Sequence, residues 1–307
     1  MKKKILSAWL MLIATFFVSF AAYADTQTIA PNGYSGNNIY LPDQRVQVNN
    51  ATSFPYNTIV DIQDIFPNNP GEVWRGTGTL IAPGVVLTAG HVIYDKSEGG
   101  YANSVTVYQA YANGNYNPST AVTAKALLAH PDWVAKNNSS PSIYVLGSTD
   151  LALIFLNQNI GLQTGWMGMS SSLSVGQPIT LAGFPGDYRD QMWKMSGSAS
   201  SISNSLISYS NISTYPGQSG SPLISTSNTI VGVNVAQAVY GENSSKVPSD
   251  QATTYPNWGI QLTTANIAWI QNNVPELKTT ALYRLYNPGN SDHLYTKNLA
   301  EMRSLAT

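Results

Sequence analysis

The sequence predicts an all-β fold, a sandwich or barrel, closed by one helix near its C-terminal end. Short apolar or alternating runs recur from Ile39 onward, at 58–65, 78–81, 85–88, 105–108, 124–128, 151–156, 179–182, 207–212 and 230–235. Gly, Pro, Asn and Ser separate them, the pattern of many short strands joined by turns. Helical spacing is missing until Thr263-Thr264, where Ile267, Ile270 and Val274 recur behind a Thr cap and Pro275 stops the run. Apolar residues make up 43% of the 307, enough to bury a core.

In chain order, the first segment reads as an address. Lys2-Lys3-Lys4 precede a largely apolar stretch, Ile5 to Ala22, and Ala22-Tyr23-Ala24 offers a small-x-small cleavage site. Residues 1–24 are thus expected to be a signal peptide. An uncleaved anchor is the alternative, since the stretch approaches the length of a spanning helix. Residues 25–38 are polar and Gly/Asn-rich, a propeptide or disordered segment. Residues 39–165 and 166–274 hold the strand-rich body and the helix. Residues 275–280 form a linker, and 281–307 a Tyr- and Leu-dense tail.

Charge and composition exclude several functions. Charged residues are only 10% of the chain, and the formal net charge is -1. No basic block follows Lys2–Lys4, which argues against nucleic-acid binding. Cysteine is absent, ruling out disulfides, thiolate metal sites and a Cys nucleophile. No apolar stretch after the leader is long enough to span a membrane, so no membrane partner is expected once the leader is removed. Three histidines, His91, His130 and His293, are the only imidazoles available.

One constellation carries chemistry. Acyl transfer by serine needs a nucleophile, a base, an acid to orient the base, and two N–H groups for the oxyanion. His91 follows an apolar run and a small-residue turn, Val85-Val86-Leu87-Thr88-Ala89-Gly90. Asp150 enters the apolar run Leu151 to Leu156, where it can accept from the imidazole Nδ1–H; Asp95 and Asp132 lead into no such run. Ser219 sits in Pro216-Gly217-Gln218-Ser219-Gly220-Ser221-Pro222. The flanking glycines permit a tight turn that converges the N–H groups of Gly217 and Ser219 on one point. This is not a G-x-S-x-G elbow, and the order His, Asp, Ser differs from that of α/β-hydrolases and subtilisins.

These motifs together resemble the chymotrypsin-like serine peptidases, and within them the bacterial glutamyl endopeptidases. Leu41-Pro42, Thr88-Ala89-Gly90-His91-Val92, Asp150-Leu151-Ala152-Leu153, Gly183-Phe184-Pro185-Gly186-Asp187 and Met192-Trp193 carry the resemblance, with the Ser219 turn. It implies two antiparallel six-stranded β-barrels with a C-terminal helix, the first carrying His91 and Asp150 and the second Ser219. It implies a secreted serine endopeptidase, a zymogen processed at Asn38-Ile39, acting on protein or peptide substrates as a monomer without cofactor or metal. Asp187 and Asp190 are the remote candidates for a stabilising Ca²⁺. The alternative is a catalytically idle surface-binding protein on the same scaffold.

The family's glutamate pocket uses a Thr, a His and the mature N-terminal amine. Thr214 and Ile39 match two of these; the third position is Asn234, which cannot become cationic. A P1 preference shifted from strict Glu follows. Gln218 replaces the Asp that pairs with the new amine in animal trypsin-like zymogens, so the Ile39 amine is expected near the specificity pocket. His130 in His130-Pro131-Asp132-Trp133 resembles a loop of the family. Leu282 to Thr296 resembles one unit of a repeat found in tandem in secreted bacterial proteins, with a helix expected at 299–306. Its functional reading is weak cell-surface contact; otherwise it is a remnant, because one copy buries little core.

Overall fold

The structure, a computed structural model, describes residues 39–139, 149–237, 246–254, 256–278, 283–287 and 292–296. The expected signal peptide, the propeptide and the 299–306 helix lie outside the described residues. No helix of the described residues is long and apolar enough to cross a membrane.

Six strands form the first barrel: β1 Ile59–Ile65, β2 Trp74–Ala82, β3 Val85–Thr88, β4 Ser104–Tyr108, β5 Val122–Ala129 and β6 Ala152–Leu156. They close in the order β6-β3-β2-β1-β4-β5, antiparallel throughout. Closure removes every sheet edge. Leu151, Leu153 and Ile154 have no exposed surface, so this run reads as continuously apolar because both its faces are covered. Gly78 of β2 marks the tightest interior point. A Cβ there would lie 2.3 Å from Val86 and 2.9 Å from Ile62.

The second half contributes β7 Pro178–Gly183, β8 Trp193–Ser198, β9 Ser201–Ser203, β10 Leu206–Tyr209, β11 Pro222–Ser225, β12 Thr229–Gln237 and β13 Asn257–Gln261. Their order is β9-β10-β13-β12-β11-β7-β8, extended past β8 by Val46–Gln47, while Gly168–Met169 adds in parallel to β12. The two ends, β8 and β9, are consecutive in the chain and separated only by Ala199-Ser200. Taken as one strand bent at that point, they return the order to its start with six members. At the bend the chain passes its hydrogen bonds from one neighbour to the other: Ala199 N donates to Gln177 O at 3.3 Å and Ser200 N to Ser208 O at 2.7 Å. Its own core gathers Ile179, Leu181, Ile207, Tyr209, Leu223 and Val231.

The closing helix is Thr264–Asn273, capped by Thr263, whose Oγ1 accepts from Asn266 N at 3.2 Å. Its Trp269 ring lies 4.7 Å from the His130 ring, so the helix reaches back to the first barrel. One expectation is corrected. The segment after His130 is not a loop but a nine-residue helix, Pro131–Ser139. Pro131 starts it, where a missing N–H does no harm. Tyr283–Asn287 and Asp292–Thr296 form an antiparallel hairpin in the tail.

Candidate active site

His91 sits on the single helical turn Gly90–Ile93 that follows β3, and Asp150 stands two residues before β6 begins. β3 and β6 are paired neighbours, with Thr88 opposite Ala152. The barrel register therefore sets His91 beside Asp150. His91 Nδ1 lies 2.8 Å from Asp150 Oδ2, and the backbone N–H of His91 donates to Oδ1 at 2.9 Å. A carboxylate only accepts, so Nδ1 carries the proton and Nε2 presents its lone pair. Burial pulls the imidazole pKa down, but the charge and hydrogen bond of Asp150 outweigh it and leave the pKa raised above 6.5. Gly90 is needed for this approach. A Cβ there would come within 2.9 Å of Asp150 Oδ1 and 2.7 Å of the Trp133 ring. Trp133, from the Pro131–Ser139 helix, presents its ring to His91 at 6.4 Å.

Ser219 comes from the turn before β11. Gly217 and Gly220 have φ of +94° and +86°, conformations that favour glycine. Thr77 of β2 joins this turn to the first barrel. Its N–H donates to Ser219 O at 2.8 Å, and its hydroxyl donates to Gly217 O at 2.7 Å. The same hydroxyl accepts from Phe184 N at 3.0 Å, and Thr77 O accepts from Thr88 Oγ1 at 2.8 Å. Gly220 presses on the turn that carries His91, since a Cβ there would lie 2.1 Å from Thr88 Oγ1 and 3.1 Å from Ala89 N. The half-buried Ser219 is thus set against the His91 turn. Neither Gly217 N–H nor Ser219 N–H donates to a backbone carbonyl among the described residues, which leaves both for a ligand oxygen.

The three positions expected for specificity fall into one neighbourhood. Thr214 is buried, and its hydroxyl has no hydrogen-bond partner among the described residues. Asn234 is buried with both ends of its amide engaged. Nδ2 donates to Gln218 O at 2.8 Å, and Oδ1 accepts a short hydrogen bond from the Tyr209 hydroxyl. Ile39 is buried in a two-residue parallel pairing with Lys246–Val247. The following residue ties this segment to the second half. Tyr40 N donates to Ser213 Oγ at 3.0 Å, and the Tyr40 hydroxyl accepts from Asn257 N at 3.0 Å. Gln218, which stands where animal trypsin-like zymogens carry an Asp, bonds within its own turn: its Oε1 accepts from Tyr215 N at 3.0 Å.

The two carboxylates considered for Ca²⁺ are both ion-paired, Asp187 with Arg45 and Asp190 with Arg75 at 2.7 Å. No group of three or more His, Asp or Glu side chains stands close enough to hold a metal among the described residues. The sequence reading overlooks Thr77, Trp133 and Arg45. A signal existed for the first, because small residues flanking it, Gly76-Thr77-Gly78, mark a strand that another backbone approaches closely.

Comparison with known proteins agrees with this fold. Residues 76–233, just over half of the chain, match the trypsin-like peptidase domain, and residues 235–307 match a domain of unknown function, DUF5648. Glutamyl endopeptidase of Bacillus licheniformis is 32% identical over 209 residues, which cover 67% of this chain and 60% of that protein. The chain thus spans about 60% of the length of that relative. A Bacillus subtilis protein named extracellular metalloprotease is 26% identical over 243 residues, 76% of this chain and 72% of its own. The solved structure of Glu endopeptidase in complex with MPD superimposes with a TM-score of 0.61 at 26% identity, covering 76% of this chain and 98% of that one. With a two-barrel fold, a His–Asp pair and a glycine-flanked serine turn on the same body, the chain belongs to the trypsin-like serine peptidases of the glutamyl endopeptidase type.

Proposed function

We propose that this chain is a secreted serine endopeptidase that hydrolyses peptide bonds through His91, Asp150 and Ser219. The observation that carries the reading is the doubly bonded His91–Asp150 pair, at 2.8 and 2.9 Å, set against the turn that holds Ser219. Ser219 Oγ attacks the scissile carbonyl carbon while its proton passes to His91 Nε2. Asp150 keeps the ring in the required tautomer and offsets the imidazolium charge. The carbonyl oxygen, now an oxyanion, takes the N–H groups of Gly217 and Ser219, each worth roughly 3–4 kcal/mol. His91 then protonates the leaving amine, and the C–N bond breaks to give the acyl-enzyme. Water, deprotonated by His91, attacks the ester, and the proton returns to Ser219 as the acid leaves. No metal or cofactor enters this route.

The P1 residue would meet Thr214 and, after cleavage at Asn38-Ile39, the amine of Ile39. Asn234 adds no positive charge, and both of its polar ends are already occupied. A side-chain carboxylate in that pocket therefore lacks one charged donor, so the preference is broader than strict glutamate. The apolar leader and a relative named extracellular support secretion, and substrates are proteins or peptides.

Covalent labelling by a fluorophosphonate probe tests the reading. Processed wild type should label and Ser219→Ala should not; unlabelled wild type would favour an idle binding protein. A P1-diverse peptide library tests the pocket, where strong selectivity for Glu would overturn the shifted preference. N-terminal sequencing of active secreted protein should read Ile39 first, and full activity with an Asp25 start would refute that processing site.

A further inference from the structure

The turn Phe184–Asp187 packs on the outer side of the Ser219 turn. Gly186 N–H donates to Pro216 O at 2.7 Å. The Pro216–Gly217 peptide is trans, so its C=O and N–H point in opposite directions. Holding Pro216 O toward Gly186 therefore turns Gly217 N–H the other way, away from the Phe184–Asp187 turn. Contact here is very close. A Cβ on Gly217 would lie 2.4 Å from Phe184 O and 3.2 Å from Gly186 N, so no side chain fits between the two turns.

The bracing turn is itself latched. Arg45, its side chain 1% exposed, donates through Nη1 to Asp187 Oδ1 at 3.0 Å and through Nη2 to Asp187 Oδ2. It also donates through Nη2 to Asp43 Oδ2 at 2.8 Å and through Nε to Asp43 Oδ1 at 3.1 Å. Its guanidinium lies 4.9 Å from the Tyr188 ring, and Tyr188 stacks on Trp193 at 3.8 Å. Arg45 stands six residues after Ile39, on the segment that begins at the expected processing point.

Resting on the peptidase reading, we propose that the Phe184–Asp187 turn, latched by Arg45, holds the Pro216–Gly217 peptide in the orientation that presents Gly217 N–H to the oxyanion. Gly186, Asp187 and Arg45 are positioning residues. They touch no substrate and act through one peptide plane. Loss of the Gly186 donor removes the restraint against a flip of that plane, and the oxyanion site loses one of its two donors.

Gly186→Pro removes the N–H and puts the ring Cδ against Pro216 O, which that N–H reaches at 2.7 Å, so the carbonyl is pushed off its anchor. Gly186 opens a 3₁₀ turn, where proline is tolerated, and Pro185 before it is already extended at φ -73°, ψ 138°. In the processed full chain, kcat on a peptide amide should fall about 10- to 100-fold with KM within about twofold, short of the loss when a donor is removed outright. Affinity for a peptidyl aldehyde, whose hemiacetal oxygen occupies the same site, should fall in parallel. Affinity for the cleaved product peptide, which builds no oxyanion, should not move. A general loosening of the fold would lower all three. Asp187→Asn, which weakens the latch and leaves the backbone intact, should give the same pattern at smaller size and decides the matter if the proline variant does not fold. Wild-type kcat and aldehyde affinity in the folded variants would overturn this inference alone. A wild type that neither labels nor cleaves would remove the peptidase reading and the inference with it.

Discussion

His91 works between two opposing influences, burial that disfavours its charge and Asp150 that favours it, with the carboxylate dominant. As the proposed general base it must be neutral, so kcat/KM should rise with pH through a midpoint above 6.5, the direction of its shift in the free enzyme. Asp150→Asn should lower that midpoint and cut kcat by about 10⁴, since the wrong tautomer then faces Ser219. A pH–rate profile of both forms checks this. Asp64 is the other residue out of balance. Its carboxyl is buried, and neither oxygen meets a hydrogen-bond donor among the described residues. Burial raises its pKa well above the ordinary range, with the nearby Asp61 adding to it; Asp61 itself is raised to about 6 by burial despite Arg75. A raised carboxyl pKa means that the folded state holds the proton more tightly than the unfolded one. Stability should thus be full below about pH 4 on this account and decline as pH rises through the raised values. Asp64→Asn should flatten that decline in thermal melts taken across the range. An unchanged slope would mean that Asp64 is not the group responsible.

At the scale of single elements, the strands are legible where they are wholly apolar. Val85–Thr88 is recognisable to the residue because all four side chains are buried. The final helix is legible from its Thr cap and its Pro stop. Thr263→Ala should cost about 1 kcal/mol in denaturant unfolding, the worth of one satisfied N–H at a helix start. The Pro131–Ser139 helix is not legible, since only Trp133 and Asn137 are buried along it. Two buried positions four apart are too thin a stripe for periodicity to show. The site divides in the same way. His91, Asp150 and Ser219 stand in motifs that announce their chemistry. Thr77 and Gly186 act through bonds to residues more than a hundred and about thirty positions away, and no local pattern encodes such a partner.

For the whole molecule, the two halves are joined at the proposed site because strands of one brace turns of the other. β2 reaches across through Thr77, and the closing helix returns from the second half to lay Trp269 on His130. Removing the hydroxyl with Thr77→Val keeps the shape but unties Gly217 O and Phe184 N. We expect kcat to drop about tenfold or more while the melting temperature falls only a few degrees, as a single buried hydrogen-bond junction warrants. Melting curves beside kinetics separate the two effects.

The bend at Ala199-Ser200 makes the second ring a clasp where the first is a hoop. A hoop offers no free strand to another molecule, whereas a clasp has two lips. Here the lips are Ser201–Ser203 and Val46–Gln47, three and two residues long. Such stubs are too short to template pairing with a neighbouring chain. These two edges therefore give aggregation no seed, even in a protein whose surface carries few charges to keep copies apart.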